Sequence, residues 1–126
     1  MRENQDELFL RSQKSRRLIV NRCNEIFKDY DAIVLPAAPS VAKKIDGHDE
    51  EVSLDYAIAD NWLALGNFGG FPSITLPLGF ENDLPFGVNV TTKPFDELNM
   101  FDIALNIENK TGYKGLSYPR YKKEGK

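Results

Sequence analysis

The chain contains one cysteine, Cys23, and one histidine, His48. A single cysteine excludes an internal disulfide. A catalytic Cys-His pair would have to join these two residues. Cys23 falls on the apolar stripe of a helical segment and His48 in a polar, acidic loop, so the thiol reads as core packing. No apolar run approaches the roughly 20 residues of a membrane span. The first residues, MRENQDELFLRSQKSRR, lack the apolar core of a signal peptide. With 16 basic and 19 acidic residues the formal net charge is −3, so there is no overall positive field to gather nucleic acid. Internal repeats, a phosphate-binding glycine loop and a metal-ligand cluster are also missing from the sequence. A length of 126 residues suits one domain or a piece of one.

What is present reads as helix, strand, loop, helix, hairpin, helix, tail. Residues Asn4 to Tyr30 are helical in pattern, with Ile19, Cys23, Ile26, Phe27 and Tyr30 on one stripe. Arg11, Lys14, Arg16, Arg17 and Arg22 flank the stripe, either as a solvated face or as a patch for RNA. Ala32 to Pro36 is a continuous apolar run, the pattern of a strand buried on both faces. A loop follows from Ala37 to Val52. A second helix runs from a Ser53 cap to about Leu65, with Gly66 as its left-handed stop. Leu54, Ile58, Trp62 and Leu65 make one apolar face, while Tyr56, Ala59 and Leu63 make the other side apolar too. Between Tyr56 and Phe80 the single charged residue is Asp60. It is either an exposed carboxylate on the helix back or a buried one that needs a cationic partner.

Ser73 to Phe80 alternates, with Ile74, Leu76, Leu78 and Phe80 on one face. Phe86 to Thr92 alternates likewise, with Phe86, Val88 and Val90 apolar. The segment from Glu81 to Pro85 is turn-forming, so the two runs predict an antiparallel hairpin with a longer loop. Pro77 has no N–H, which places that side of its strand at an edge or a bulge. Ser73, Thr75, Gly79, Gly87 and Asn89 make a small-residue face that lets another element approach closely, a packed helix being the expected one. Asp96 is positioned to cap a last helix from Glu97 to Lys110, with Gly112 as its stop and Leu98, Phe101, Leu105, Ile103 and Ile107 on its buried side. Residues 113–126 carry five bases and one acid and read as a flexible tail.

The ordered set Asn67, Gly70, Pro72, Ile74, Pro77, Gly79, then Leu84-Pro85, Gly87 and Lys93-Pro94-Phe95-Asp96-Glu97, resembles the C-terminal part of the amidase signature family. Ser12-Gln13-Lys14 with Arg16, Leu18 and Ile19, then Asp31 to Pro36 and Ala38-Pro39, extend the resemblance upstream. It covers most of residues 10–110 and is most similar to the A-subunit branch of the tRNA-dependent amidotransferases. The resemblance implies an α/β fold, the C-terminal portion of a mixed sheet between helices. Residues 1–112 would be that fragment and 113–126 its tail.

The family hydrolyses amides with a Ser–Ser–Lys triad and backbone oxyanion donors. Nothing in this sequence matches the Gly/Ser-rich segment that carries the triad, so no catalytic residue is assigned and the chain alone is expected to be inactive. The resemblance does give Asp60 a role, facing the ammonium group of glutamine. It implies three kinds of partner: the N-terminal part of the same domain, amidotransferase subunits B and C, and tRNA only indirectly. It implies no cofactor on this chain, ATP and Mg²⁺ acting on a partner subunit, and a cytoplasmic setting away from membranes. A fragment of a stand-alone amidase and a non-catalytic interaction module are the alternatives.

Overall fold

The computed structural model describes residues 2–42 and 64–113. Helix α1 spans Arg2–Ile26, strand β1 Ala32–Pro36, helix α2 Ala64–Gly69, strand β2 Ser73–Glu81, strand β3 Leu84–Thr92 and helix α3 Glu97–Thr111. The three strands form one antiparallel sheet in the order β1-β3-β2. The α/β architecture is as expected, although every pairing among the described residues is antiparallel rather than mixed.

The hairpin forms where the alternation placed it, but its turn is tighter than expected. Glu81 pairs with Leu84, leaving Asn82 and Asp83 as a two-residue turn with φ of 50° and 63°. Both angles are left-handed, which is the geometry whose twist matches paired strands. Asn and Asp tolerate it better than other non-glycine residues. Pro77 satisfies both of its possibilities. Among the described residues strand β2 is an edge, and the register slips between Pro77 and Gly79. Beyond the slip the alternation is lost. Gly79 is buried under the Phe86 ring, while Leu78, Phe80 and Phe86 are each about two-fifths exposed.

The core lies between the sheet and α3. Leu76, Val88, Val90 and Ala104 are buried together, with Ala32, Ile74, Ile103 and Ile107 packed around them. This corrects the expected helix face. Met100 and Ala104 point inward, and Leu98, Phe101 and Leu105 form an outer stripe, exposed by 83%, 50% and 47%. The helix is apolar on two sides, so periodicity alone does not select the buried one. Its end is as expected, with Gly112 at φ 69° and its N–H bonded to the Glu108 carbonyl at 2.9 Å. Asp96 occupies the N-cap position without bonding a backbone N–H. Its carboxylate instead accepts the Asn99 side-chain amide at 3.1 Å and lies 3.8 Å from the Lys93 ammonium.

Strand β1 has the expected bounds but not the expected burial. It pairs with β3 on one side only, and Val34 is 54% exposed. An apolar run fixes the strand, whereas neighbours distant in sequence fix its burial. Helix α1 ends at Ile26, short of the expected Tyr30. Its last turn tightens, with Lys28 N–H bonding the Glu25 carbonyl and Asp29 N–H the Ile26 carbonyl, each at 3.1 Å. Cys23 is buried and Phe27 packs edge-on against Phe71 at 5.4 Å, while Ile19 and Tyr30 are exposed.

Gly66 is not the stop of the second helix. It lies inside α2, and Gly70, at φ 67°, is the left-handed residue just past the end. Gly66 has a different task. A Cβ there would stand 3.0 Å from the Ser73 Cβ, so its hydrogen lets α2 lie against the start of β2. The body of the Ser53–Leu65 prediction, with Asp60 and Trp62, falls outside the described residues.

Candidate functional site

Alternation along β2 and β3 sends Ser73, Thr75, Asn89 and Thr91 to the face opposite α3. Their register makes them neighbours, Ser73 opposite Thr91 and Thr75 opposite Asn89. The side chains join in one hydrogen-bonded cluster. The Asn89 carbonyl oxygen accepts from the Ser73 hydroxyl at 3.0 Å and from the Thr91 hydroxyl at 3.1 Å. The Asn89 amide nitrogen donates to the Thr75 hydroxyl at 3.0 Å, and the Thr91 hydroxyl also lies 3.2 Å from that of Ser73. Asn89 and Thr91 are buried, while Ser73 and Thr75 reach the surface.

Thr75 also lines a cleft of about 300 Å³ with Ala37, Ser40, Pro77 and Gly87. Gly87 sets the floor. A Cβ there would be 2.6 Å from the Leu76 carbonyl oxygen and 3.3 Å from the Ala37 methyl. The missing side chain is therefore what lets the segment after β1 cross the sheet, pinned by Ala37 N–H to the Gly87 carbonyl at 2.9 Å. The small-residue face serves two close approaches, α2 at Ser73 and this segment at Gly87.

Chemically the cluster is a set of neutral donors and acceptors. It can orient a polar group, but hydroxyls and an amide do not exchange protons near neutral pH. The other described serines with bonded hydroxyls are engaged locally, Ser12 to the Leu8 carbonyl and Ser40 to the Val41 carbonyl. Burial pushes the Cys23 thiol above its ordinary value, which disfavours the thiolate that a nucleophile needs. Asp60, the one substrate-binding residue assigned from the sequence, lies outside the described residues, as do Lys43, Lys44 and His48. The serine, threonine and asparagine cluster was visible in the sequence as a small-residue face. Its hydrogen bonding was not, since cross-strand register has to be known first. Among the described residues no three His, Cys, Asp or Glu side chains gather as metal ligands, and no described helix is long and apolar enough to cross a membrane.

The model of the family described as Amidase matches residues 1–101. The A subunit of the glutamyl-tRNA(Gln) amidotransferase of Wolinella succinogenes is 37% identical over 109 residues, 86% of this chain and 24% of the relative. That of Thermotoga maritima is also 37% identical, over 83% of this chain and 22% of its own length. The crystal structure of the Thermotoga maritima protein superimposes with a TM-score of 0.76 at 36% sequence identity, covering 86% of this chain and 24% of that one. The chain thus spans about a quarter of the length of the curated relatives it matches.

Proposed function

This chain belongs to the amidase family, and from that premise we propose that it is the C-terminal quarter of the A subunit of a tRNA-dependent amidotransferase. The whole subunit hydrolyses glutamine to release ammonia. Partner subunits B and C use that ammonia, with ATP and Mg²⁺, to amidate Glu-tRNA(Gln) or Asp-tRNA(Asn) in the cytoplasm. The reaction class is a carbon-nitrogen ligase with glutamine as amido donor. The observation that supports this most is a likeness running through 86% of the chain, in sequence and in fold, to a protein about three and a half times as long.

In this reading the chain supplies binding and scaffold, and the remainder of the domain supplies the nucleophile. Asp60 holds the ammonium group of glutamine, since a carboxylate removed from water discriminates sharply for a cation. The clustered hydroxyls and amide of Ser73, Thr75, Asn89 and Thr91 fix the register of β2 and β3. The edges of β1 and β2 and the outer stripe of α3 are the surfaces where the remainder of the domain joins.

The test replaces the matched quarter of the Thermotoga maritima protein with this chain and measures ammonia released from glutamine. The hybrid should release ammonia well above the level of the same protein without that quarter. A folded, soluble hybrid that releases none would overturn the reading.

A further inference from the structure

Five of the described residues take a left-handed backbone. Gly70 and Gly112 have no Cβ to strain, and Asn82 and Asp83 are the types that tolerate it in a tight turn. The fifth is Phe95, at φ 60°. A bulky aromatic there is an outlier. Its ring gains nothing locally in return. Phe95 is 96% exposed, more than any other large apolar residue among those described. The residue before a helix cap ordinarily folds back onto the fourth residue of the helix. That residue is Met100, which is buried without Phe95. The turn is held around Phe95 and not by it. The buried Thr92 donates its hydroxyl to the Asp96 carbonyl at 3.3 Å and its N–H to the Pro72 carbonyl at 3.1 Å. The Asp96 carboxylate takes the Asn99 amide and lies beside the Lys93 ammonium. Pro94 narrows the backbone just before the outlier. The ring is therefore displayed from a fixed turn.

Strain of this kind persists where the surroundings over-determine it, and it gathers at places of contact. Glycine at position 95 would relieve the strain and take the ring out of water. A ring held out against both costs is suited to enter an apolar pocket, and size decides what carries that pocket. One aromatic side chain buries roughly 150–250 Å², against about 1,200–2,000 Å² for a stable interface between separate chains. It is too small to hold a second chain, whose capture also costs translational and rotational freedom. A segment of the same polypeptide is kept close by its own backbone and escapes that cost. This chain spans about a quarter of the length of its relatives, so most of such a protein lies outside it. Leu98, also exposed, stands three residues on, which makes Phe95 continuous with the outer stripe of α3.

We propose that Phe95 is the anchor that seats this quarter of the domain in an apolar pocket of the remaining three quarters. The inference rests on the amidase reading for the identity of that remainder. Its test reads the burial of one side chain and not hydrolysis. A folded hybrid without activity still reports on Phe95, and an active hybrid in which position 95 stays exposed overturns this inference alone.

In the full chain, Phe95→Ala should leave the urea midpoint unchanged, because the ring touches nothing and alanine keeps the strain. Phe95→Gly should raise the midpoint by releasing the backbone. A midpoint that glycine does not raise above that of alanine would deny the strain and overturn the proposal. Phe95→Cys is then labelled with a maleimide in the dilute chain and in the hybrid with the Thermotoga maritima protein, each rate being taken above that of the unsubstituted protein. Cys23 is buried and adds little. The new thiol should react at least about tenfold more slowly in the hybrid, the mark of a group reached only by local opening. Phe95→Ala should lower the melting temperature of the hybrid by several degrees while sparing the chain. Equal labelling in the two proteins would show that the ring meets nothing in the remainder. Protection that rises to the hybrid's level as the chain alone is concentrated would assign the ring to a second copy. Either result overturns the proposal.

Discussion

Replacing Asn89 by alanine measures how far the polar cluster holds the sheet together. The side chain makes three hydrogen bonds, two accepted and one donated. At roughly 0.5–1.5 kcal/mol each, their summed net value is about 1.5–4.5 kcal/mol. The structure points to the lower half of that range. Ser73 and Thr75 reach the surface, so water can take the place of Asn89 for both. Thr91, 1% exposed, is beyond water but keeps the Ser73 hydroxyl at 3.2 Å. No buried group is therefore left without a partner, and the larger orphan penalty does not apply. We expect Asn89→Ala to destabilise by about 2 kcal/mol, read as a lower urea midpoint at unchanged slope by far-ultraviolet circular dichroism. The double variant Asn89→Ala with Thr91→Val should lose less than the sum of the single losses, because the two residues share a bond. A single-variant loss under about 0.5 kcal/mol, or strict additivity, would refute the claim that these bonds act together.

Gly87→Ala should destabilise by at least about 2 kcal/mol through overpacking against the Leu76 carbonyl. Gly70→Ala, which meets nothing within 4 Å but sits at φ 67°, should lose only about 1 kcal/mol from backbone strain; thermal melts compare the two. In the Thermotoga maritima hybrid, Asp60→Ala should raise KM for glutamine about 10- to 150-fold, the loss of one charge-assisted contact, and an unchanged KM would refute the proposed role of Asp60. Changing Leu98, Phe101 and Leu105 together to glutamine should shift the stability of the chain by under about 0.5 kcal/mol per site. Because this stripe is apolar and exposed, the unchanged chain should self-associate in sedimentation and the triple variant should do so less; equal association of the two would show that the stripe is not the contact.

The parts of the fold that are local in origin were legible. Strand β1, the hairpin, the edge and bulge at Pro77 and the stop at Gly112 each follow from a few adjacent residues. What escaped depends on residues far apart. Which side of α3 is buried is decided by the sheet it meets, and both of its sides are apolar. Gly66, Gly69 and Gly70 are indistinguishable as letters, and only the approach of Ser73 shows that Gly66 serves packing and Gly70 the turn. The exposure of β1 follows from its place at the end of the sheet order. The polar cluster combines the two cases, its small face being read from alternation and its bonding from cross-strand register. Asp60 stood out in the sequence as one charge in an apolar stretch, and it lies outside the described residues.

The strand order also sets a timetable. Strands β2 and β3 meet across two residues, whereas Pro36 pairs with Val88 across about fifty. Closing the longer loop costs roughly 3 kcal/mol more entropy in the flexible-chain limit, so the hairpin with α3 forms the nucleus and β1 is added afterwards. In stopped-flow measurements Val90→Ala should slow folding, while Val34→Ala should chiefly speed unfolding. Until β1 arrives, one side of the central strand stands open, and during that interval the chain can be captured by another copy of itself.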